Sequence, residues 1–142
     1  MPSDSLTWLR QKYHRYPHWN SVERFLSGVL ELNPLLVLLF GSLAKGDFTQ
    51  LSDADVLVLF EGPVDWTTVY GKGDGLVQPV VKELKGFEGG LAEGNTFYHE
   101  ILEDGIVLYE REGVYQNLKA VADRARVELK LKRLKGGWRW AP

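Results

Sequence analysis

Two pairs of residues in the middle of the chain have the types and spacing of a metal and phosphate site. Gly41 and Ser42 directly follow an apolar run, and Asp53 and Asp55 open the next one. Residues i and i+2 of a strand point to the same face, about 6.6 Å apart. We therefore expect Asp53 and Asp55 to aim their carboxylates at one spot, while Ala54 points into the core.

This set of side chains favours phosphoryl chemistry. Two converging carboxylates suit hard cations such as Mg²⁺, and two such ions about 3.5–4 Å apart can clamp the oxygens of a phosphoryl displacement. Gly41 would allow close backbone approach, and Ser42, at the start of a short helix, would offer its hydroxyl and amides to a triphosphate. Alone, a Gly-Ser pair is usually a turn, and an Asp-x-Asp sequence is usually a cap or a solvated loop. Together they indicate a site, since unpaired aspartates beside an apolar run are costly to leave uncompensated.

Two apolar runs flank these residues and have the length of strands. Residues 35–40 (LLVLLF) and 54–60 (ADVLVLF) are apolar on both faces, as central strands of a covered sheet are. Residues 76–81 (LVQPVV) are a third candidate, in which Pro79 indicates an edge position or a bulge. Residues 106–109 (IVLY) are the fourth.

Helices are predicted before, between and after these strands. Apolar periodicity and capping residues place them at 6–13, 22–30, 95–104 and 113–134. Asn20 and Glu23 are the expected N-cap and capping box of the second helix, Gly105 is the stop of the third, and Gly136-Gly137 end the fourth.

These elements predict one domain, 1–142, of the α/β (α+β) class. We expect a small mixed sheet of about four to five strands flanked by helices. The N-terminal helices would occupy 1–33, the core that carries the site 34–110, and a C-terminal helix with a basic tail 111–142.

The composition excludes several classes of protein. The 142 residues include no cysteine, which removes disulfides, thiolate zinc sites and cysteine nucleophiles and fits a reducing compartment. The longest apolar run, 34–40, has 7 residues, against the roughly 20 that a membrane helix needs. The start has no basic segment leading into an apolar stretch, so no signal peptide is predicted. We expect a soluble, cytoplasmic protein with no membrane contact.

Charge is divided between an acidic body and a basic C-terminal segment. Residues 1–118 carry 9 Lys/Arg and 17 Asp/Glu, net −8, and residues 119–142 carry 8 and 2, net +6. Residues 130–140 (KLKRLKGGWRW) interleave basic residues with Trp138 and Trp140, which suits stacking on nucleic acid bases. Because the rest of the chain is acidic, packing of these tryptophans on the body or at a dimer interface is the favoured interpretation.

The spacing of the central residues resembles a known signature. A Gly-Ser pair, ten residues and then Asp53-x-Asp55 is similar to the G-S-x(10)-D-x-D motif of the minimal nucleotidyltransferases (MNT) of the DNA polymerase β superfamily. The wider segment 41–58 (GSLAKGDFTQLSDADVLV) also matches, and 94–110 (GNTFYHEILEDGIVLYE) is like the final helix and strand of the family. The resemblance covers about 35–109.

The resemblance implies transfer of a nucleoside monophosphate, AMP from ATP above all, to a hydroxyl group with release of pyrophosphate. Gly41 and Ser42 would hold the β and γ phosphates of the NTP. Asp53 and Asp55 would hold Mg²⁺ or Mn²⁺. Lys45 stands where relatives often have a basic residue, and it would either reach the triphosphate or face solvent.

One position departs from the family pattern. The family usually has a third carboxylate on the following strand, which acts as general base and helps to hold the second metal. Gln78 takes that place here. A neutral amide coordinates weakly and cannot accept the proton of an attacking hydroxyl, so turnover is in doubt. Glu83 or Asp74 would supply the third carboxylate if the strand around residue 78 paired with its neighbour in another register.

The source of the acceptor is the second open point. Only one helix is predicted after the last strand, whereas larger relatives carry a helical domain there, so the acceptor must come from a partner or from another copy. MNT proteins are often paired with a helical HEPN protein in toxin–antitoxin systems, and the resemblance implies such a partner. The alternative function is a catalytically weak, nucleotide-binding, antitoxin-like subunit that acts by covering that partner.

Overall fold

Helices and strands alternate along the described residues, 3–134 and 137–140 of a computed structural model. The helices are α1 (Ser3–Lys12), α2 (Trp19–Leu30), α3 (Gly41–Lys45), α4 (Trp66–Tyr70), α5 (Leu84–Ala92), α6 (Thr96–Asp104) and α7 (Val114–Glu128). The strands are β1 (Leu36–Phe40), β2 (Ala54–Phe60), β3 (Val77–Glu83), β4 (Ile106–Glu110), β5 (Leu131–Leu134) and β6 (Gly137–Trp140). Within this part of the chain, no helix combines the length and the apolar content needed to cross a bilayer.

The first four strands form one mixed sheet in the order β3-β2-β1-β4. β1 runs antiparallel to both β2 and β4, whereas β2 and β3 are parallel. The sheet is flanked by helices, which confirms the predicted fold class. β3 lies at an edge, as Pro79 indicated, because proline has no N–H to donate to a second neighbour.

Helices cover both faces of this sheet, so β1 and the apolar part of β2 are buried. Val37, Leu39, Val56 and Val58 pack with the side chains of α1 and α2. Leu36, Leu38, Leu57 and Leu59 pack with those of α5, α6 and α7. Because strand residues alternate between faces, the odd-numbered residues of β2 face α5–α7. Asp55 therefore belongs to the face on which α6 lies.

The start of α2 differs from the prediction. The helix begins at Trp19, and His18 precedes it as an N-cap without a side-chain hydrogen bond, so the predicted Asn20 cap and capping box are wrong. Glu23 instead accepts hydrogen bonds from Trp19 Nε1 at 2.8 Å and Arg10 Nε at 2.6 Å. The Trp19 ring also stacks on Tyr13, with centroids 4.9 Å apart. These contacts with α1 and the residue after it stabilise the earlier start.

The C-terminal helix is shorter than predicted. α7 ends at Glu128, Lys130 has a positive φ of 54°, and β5 then pairs with β6 in an antiparallel hairpin. The prediction that this helix reaches residue 134 is therefore wrong beyond Glu128. Arg133 of β5 forms a two-bond ion pair with Asp104, so part of the basic tail contacts the acidic body. The backbones of Trp138 and Trp140 lie in β6. The predicted packing or stacking of their side chains falls outside the part of the chain that the structure describes.

A buried histidine joins the three helices of the α5–α7 face. His99 is 0% exposed; its Nε2 lies 2.9 Å from the carbonyl oxygen of Leu91, and its Nδ1 lies 3.1 Å from Arg126 Nε. Arg126 also donates to Glu103 at 3.1 Å. Because a guanidinium only donates, Nδ1 must accept, and Nε2 carries the proton that bonds to Leu91. The network requires a neutral imidazole.

This geometry predicts a loss of stability in mild acid. Burial, with the charge of Arg126, lowers the pKa of His99 below its ordinary value of 6.5. The folded protein therefore binds fewer protons than the unfolded chain, and stability falls as the pH drops below about 6.5. Urea unfolding at pH 7.5 and 5.5 measures this effect. His99→Gln should cost about 1–3 kcal/mol at pH 7.5 and less at pH 5.5; an equal cost at both pH values would contradict the account.

Candidate functional site

The Gly-Ser and Asp-x-Asp segments meet where β1 ends and β2 begins. Phe40 is the Cα partner of Asp55 in the antiparallel ladder, and α3 starts at the next residue, Gly41. Gly41 has a φ of 77°, in the left-handed region that favours glycine. A Cβ at this position would also overlap the Asp55 carboxylate. Both the backbone angle and the space therefore require glycine, and Ser42 follows as the second residue of α3.

The two aspartates lie on either side of a buried alanine. Asp53 is exposed, Asp55 is half-buried, and Ala54 is 0% exposed in the core. Burial raises the pKa of the Asp55 carboxyl, and the negative charge of Asp53 adds to the effect. The two carboxylates therefore repel each other. A cation between them would remove that repulsion.

These donors fit a hard divalent cation that keeps other ligands. Among residues 3–134 and 137–140, no group of three or more histidine, aspartate and glutamate side chains is placed to hold a metal. Asp53 and Asp55 are the two carboxylates that the sequence predicts as ligands, and the charge of Asp53 acts on Asp55. Mg²⁺ is commonly bound by one or two carboxylates together with water and substrate phosphates. The pair suits a metal that arrives with a phosphate ligand.

Gln78 lies beside Asp55 on the neighbouring strand. The parallel ladder pairs the two residues, which places their backbones about 4.8 Å apart and their side chains on one face of the sheet. The Gln78 Nε2 donates to the carbonyl oxygen of Gly75 at 3.1 Å. The position at which the sequence predicts the third site residue is therefore occupied by a neutral amide.

Neither alternative carboxylate takes this place. Glu83 pairs with Phe60, at the opposite end of the β2–β3 ladder. Asp74 accepts a hydrogen bond from the Ser21 hydroxyl at 2.6 Å and one from Arg24 at 3.2 Å, and these partners hold it against α2. The alternative strand register, in which Glu83 or Asp74 would replace Gln78 beside Asp55, is therefore wrong.

A cavity of about 230 Å³ opens beside Asp55. It is lined by Phe40, Gly41, Lys45, Asp55, Phe97, Glu100 and Ile101. The Nζ of Lys45 donates to Glu100 at 3.1 Å and lies 3.9 Å from Asp104, so the lysine bridges α3 and α6. Lys45 is thus placed at the cavity and is ion-paired there. A larger and more open cavity, of about 520 Å³, lies on α2 and includes none of the predicted site residues.

Two tyrosines that no sequence pattern singles out donate hydrogen bonds to the backbones of the two site segments. Tyr13 Oη donates to the carbonyl oxygen of Leu43 in α3 at 3.1 Å, and Tyr16 Oη donates to that of Ser52 at 2.6 Å. Phe48 packs against both rings, at 5.9 and 5.6 Å between centroids. The residues that follow α1 thus hold both α3 and the residue before the Asp-x-Asp segment in place.

Their surroundings keep these tyrosines protonated. Burial raises the pKa of Tyr13 to about 12. Burial also raises the pKa of Tyr16, with added effect from the negative charges of Asp53, Asp55 and Asp74. Tyr16 therefore lies within electrostatic reach of both site carboxylates and stays a hydrogen-bond donor to the backbone beside them.

The contact between Gly41 and Asp55 can be tested by a double-mutant cycle. Gly41→Ala should lower the free energy of unfolding by about 2–4 kcal/mol, because a left-handed alanine and an overlap with the carboxylate are both unfavourable. In an Asp55→Ala background the overlap is absent, so Gly41→Ala should cost only what a left-handed alanine costs, about 1–2 kcal/mol. Urea unfolding of the four proteins gives the coupling. Strictly additive costs would show that the two residues do not touch.

Comparison with known proteins places this site in a family. Residues 22–133 match the family model described as a nucleotidyltransferase domain. MJ0604 of Methanocaldococcus jannaschii, named a candidate protein adenylyltransferase, is 31% identical over 78 residues, which cover 51% of this chain and 76% of that protein. The residues that match the family model make up most of the chain.

A solved structure of another protein shares the fold. A toxin–antitoxin structure with AMP-PNP aligns with a TM-score of 0.50 and 20% identity, over 76% of this chain and 86% of that one. A candidate nucleotidyltransferase from Sulfolobus solfataricus has a TM-score of 0.48 and 24% identity, over 66% and 80%. On the family match, and in agreement with its resemblance to the minimal nucleotidyltransferases, this chain belongs to the nucleotidyltransferase domain family.

Proposed function

We propose that the protein is a divalent-metal-dependent nucleotidyltransferase that transfers a nucleoside monophosphate, AMP from ATP above all, to a hydroxyl acceptor. The observation that carries the proposal is the close approach of the Gly41 backbone to the Asp55 carboxylate, on which the negative charge of Asp53 also acts. A backbone that phosphate could approach thus lies next to a carboxylate that could serve as a metal ligand. The family match supports the same class of reaction.

Asp53 and Asp55 would hold Mg²⁺ or Mn²⁺. When bound, such an ion neutralises the charge of the triphosphate and polarises the α-phosphate. The half-buried position of Asp55 and the exposed position of Asp53 leave one side of the pair open to a nucleotide.

Three further residues would bind the triphosphate. Gly41 and Ser42 would lie along the β and γ phosphates, where the absence of a Cβ at the glycine permits close approach. Lys45 already borders the cavity, and it would exchange Glu100 for a phosphate oxygen. That exchange replaces one anionic partner of the ammonium group with another.

The reaction needs a route for one proton. The acceptor oxygen attacks the α-phosphorus, the bond from that phosphorus to pyrophosphate breaks, and the acceptor hydroxyl loses its proton. Gln78, beside Asp55, cannot take it, because an amide is not a base at neutral pH. The proton would therefore pass to water or to a group that the acceptor brings with it, and we expect slow turnover.

The acceptor would be a hydroxyl on a protein. The name of MJ0604 assigns it protein adenylylation, and the toxin–antitoxin structure provides a precedent for a paired protein in this fold. We propose a helical partner of the HEPN type, or a second copy of this chain, as that acceptor.

A second function is favoured by one observation, the neutral Gln78 at the position beside Asp55. In this alternative the protein binds a nucleotide without appreciable turnover and acts as an antitoxin-like subunit that covers its partner. Inhibition of a co-purified partner would then survive Asp53→Asn, whereas the enzyme account requires that variant to abolish it.

The metal ligands can be tested by nucleotide binding. Asp53→Asn and Asp55→Asn should each weaken ATP binding in the presence of Mg²⁺ at least tenfold, because a neutral amide is a poor ligand for a hard cation. Asp47→Asn, an exposed residue of the intervening loop, is the matched control and should leave the affinity unchanged. Titration calorimetry with and without Mg²⁺ measures the effect. Unaltered Mg²⁺-dependent affinity in both site variants would overturn the assignment.

Restoring a carboxylate beside Asp55 should raise activity. Gln78→Glu places a base on the face and at the register that the structure gives to Gln78, and general base catalysis typically contributes 10²–10⁴-fold. We expect the initial rate of AMP transfer to rise at least tenfold. Lys82→Glu, on the exposed end of the same strand, controls for added negative charge. A rate that Gln78→Glu leaves unchanged would show that this position does not limit the reaction.

A further inference from the structure

Phe97 places an aromatic ring at the mouth of the site cavity. It lies in the first turn of α6, and 49% of its surface is exposed. Its ring contacts Phe40 edge to face, with centroids 5.9 Å apart and planes at 77°. Phe40 is the residue before Gly41 and the ladder partner of Asp55. The exposed ring therefore lines the same cavity as Asp55, one of the two predicted metal ligands.

The lining of the cavity combines apolar and charged residues. Phe40, Phe97 and Ile101 are the apolar ones, and Asp55 and the Lys45–Glu100 ion pair are the charged ones. A nucleoside triphosphate needs both kinds of contact, because it has a flat aromatic base at one end and an anionic chain at the other. The volume of about 230 Å³ is not filled by the side chains of the protein.

We propose that Phe97 is the residue on which the base of the nucleotide stacks. This inference rests on the proposed function, because it needs the triphosphate to lie at Gly41 and the aspartates. Aromatic side chains bind bases through their π faces, which every base shares, so the contact adds affinity with little discrimination among bases. The edge-to-face contact with Phe40 holds the ring in place, and stacking on a fixed ring costs little conformational entropy.

Two probes separate the base from the phosphates. We would titrate the full chain, with Mg²⁺, against α,β-methylene-ATP, which cannot react at the α-phosphorus, and against inorganic tripolyphosphate. Phe97→Ala should weaken binding of the nucleotide about tenfold and leave binding of tripolyphosphate unchanged. Phe97→Trp keeps a flat aromatic ring and should retain the nucleotide affinity of the native protein. Trp66→Ala removes another exposed aromatic that packs edge to face, on Tyr70, and should change neither affinity.

Three results would overturn the proposal, and each has a separate meaning. If Phe97→Ala leaves the nucleotide affinity unchanged while Asp53→Asn lowers it, the base lies elsewhere and the proposed function stands. If Phe97→Ala weakens both probes equally, the ring acts through the structure of α6. If neither probe binds in an Asp53-dependent way, the proposed function fails, and the stacking role fails with it.

Discussion

The close approach of Gly41 to the carboxylate of Asp55 is the contact on which the rest of the site depends. It exists because β1 and β2 pair with Phe40 opposite Asp55, so that the turn into α3 passes over the start of the next strand. A side chain at residue 41 would push the two segments apart. The antiparallel register thus brings together the Gly41 backbone and the Asp55 carboxylate, which we propose as contacts for phosphate and metal.

The surrounding layers fix this contact from both faces of the sheet. On one face, Tyr13 and Tyr16 donate hydrogen bonds to the backbone of α3 and of Ser52, which limits the movement of both segments. On the other face, α6 supplies the cavity wall and is itself tied to α5 and α7 through His99. The buried core therefore supports a site that lies at its border, where the proposed nucleotide would enter.

The sequence predicted those parts of the molecule that depend on local signals. The strands around the site follow from apolar runs, and the Asn95 side chain caps α6 by accepting from Tyr98 N, as a helix start requires. α5 has three glycines and no such signal; it is stabilised by burial of Phe87 and Leu91 against its neighbours. The tyrosine contacts and the proposed role of Phe97 depend on residues distant in sequence, so no local pattern could reveal them.

Transfer of label from ATP tests the central claim most directly. A lysate of the source organism would be incubated with this protein, Mg²⁺ or Mn²⁺, and ATP labelled with ³²P at either the α or the γ phosphate. Nucleotidyl transfer predicts a labelled acceptor with α-labelled ATP, none with γ-labelled ATP, and none when Asp53→Asn replaces the native protein. Label from the γ phosphate, or no label from a preparation that binds ATP, would contradict the enzyme; the second result would leave the binding subunit as the function.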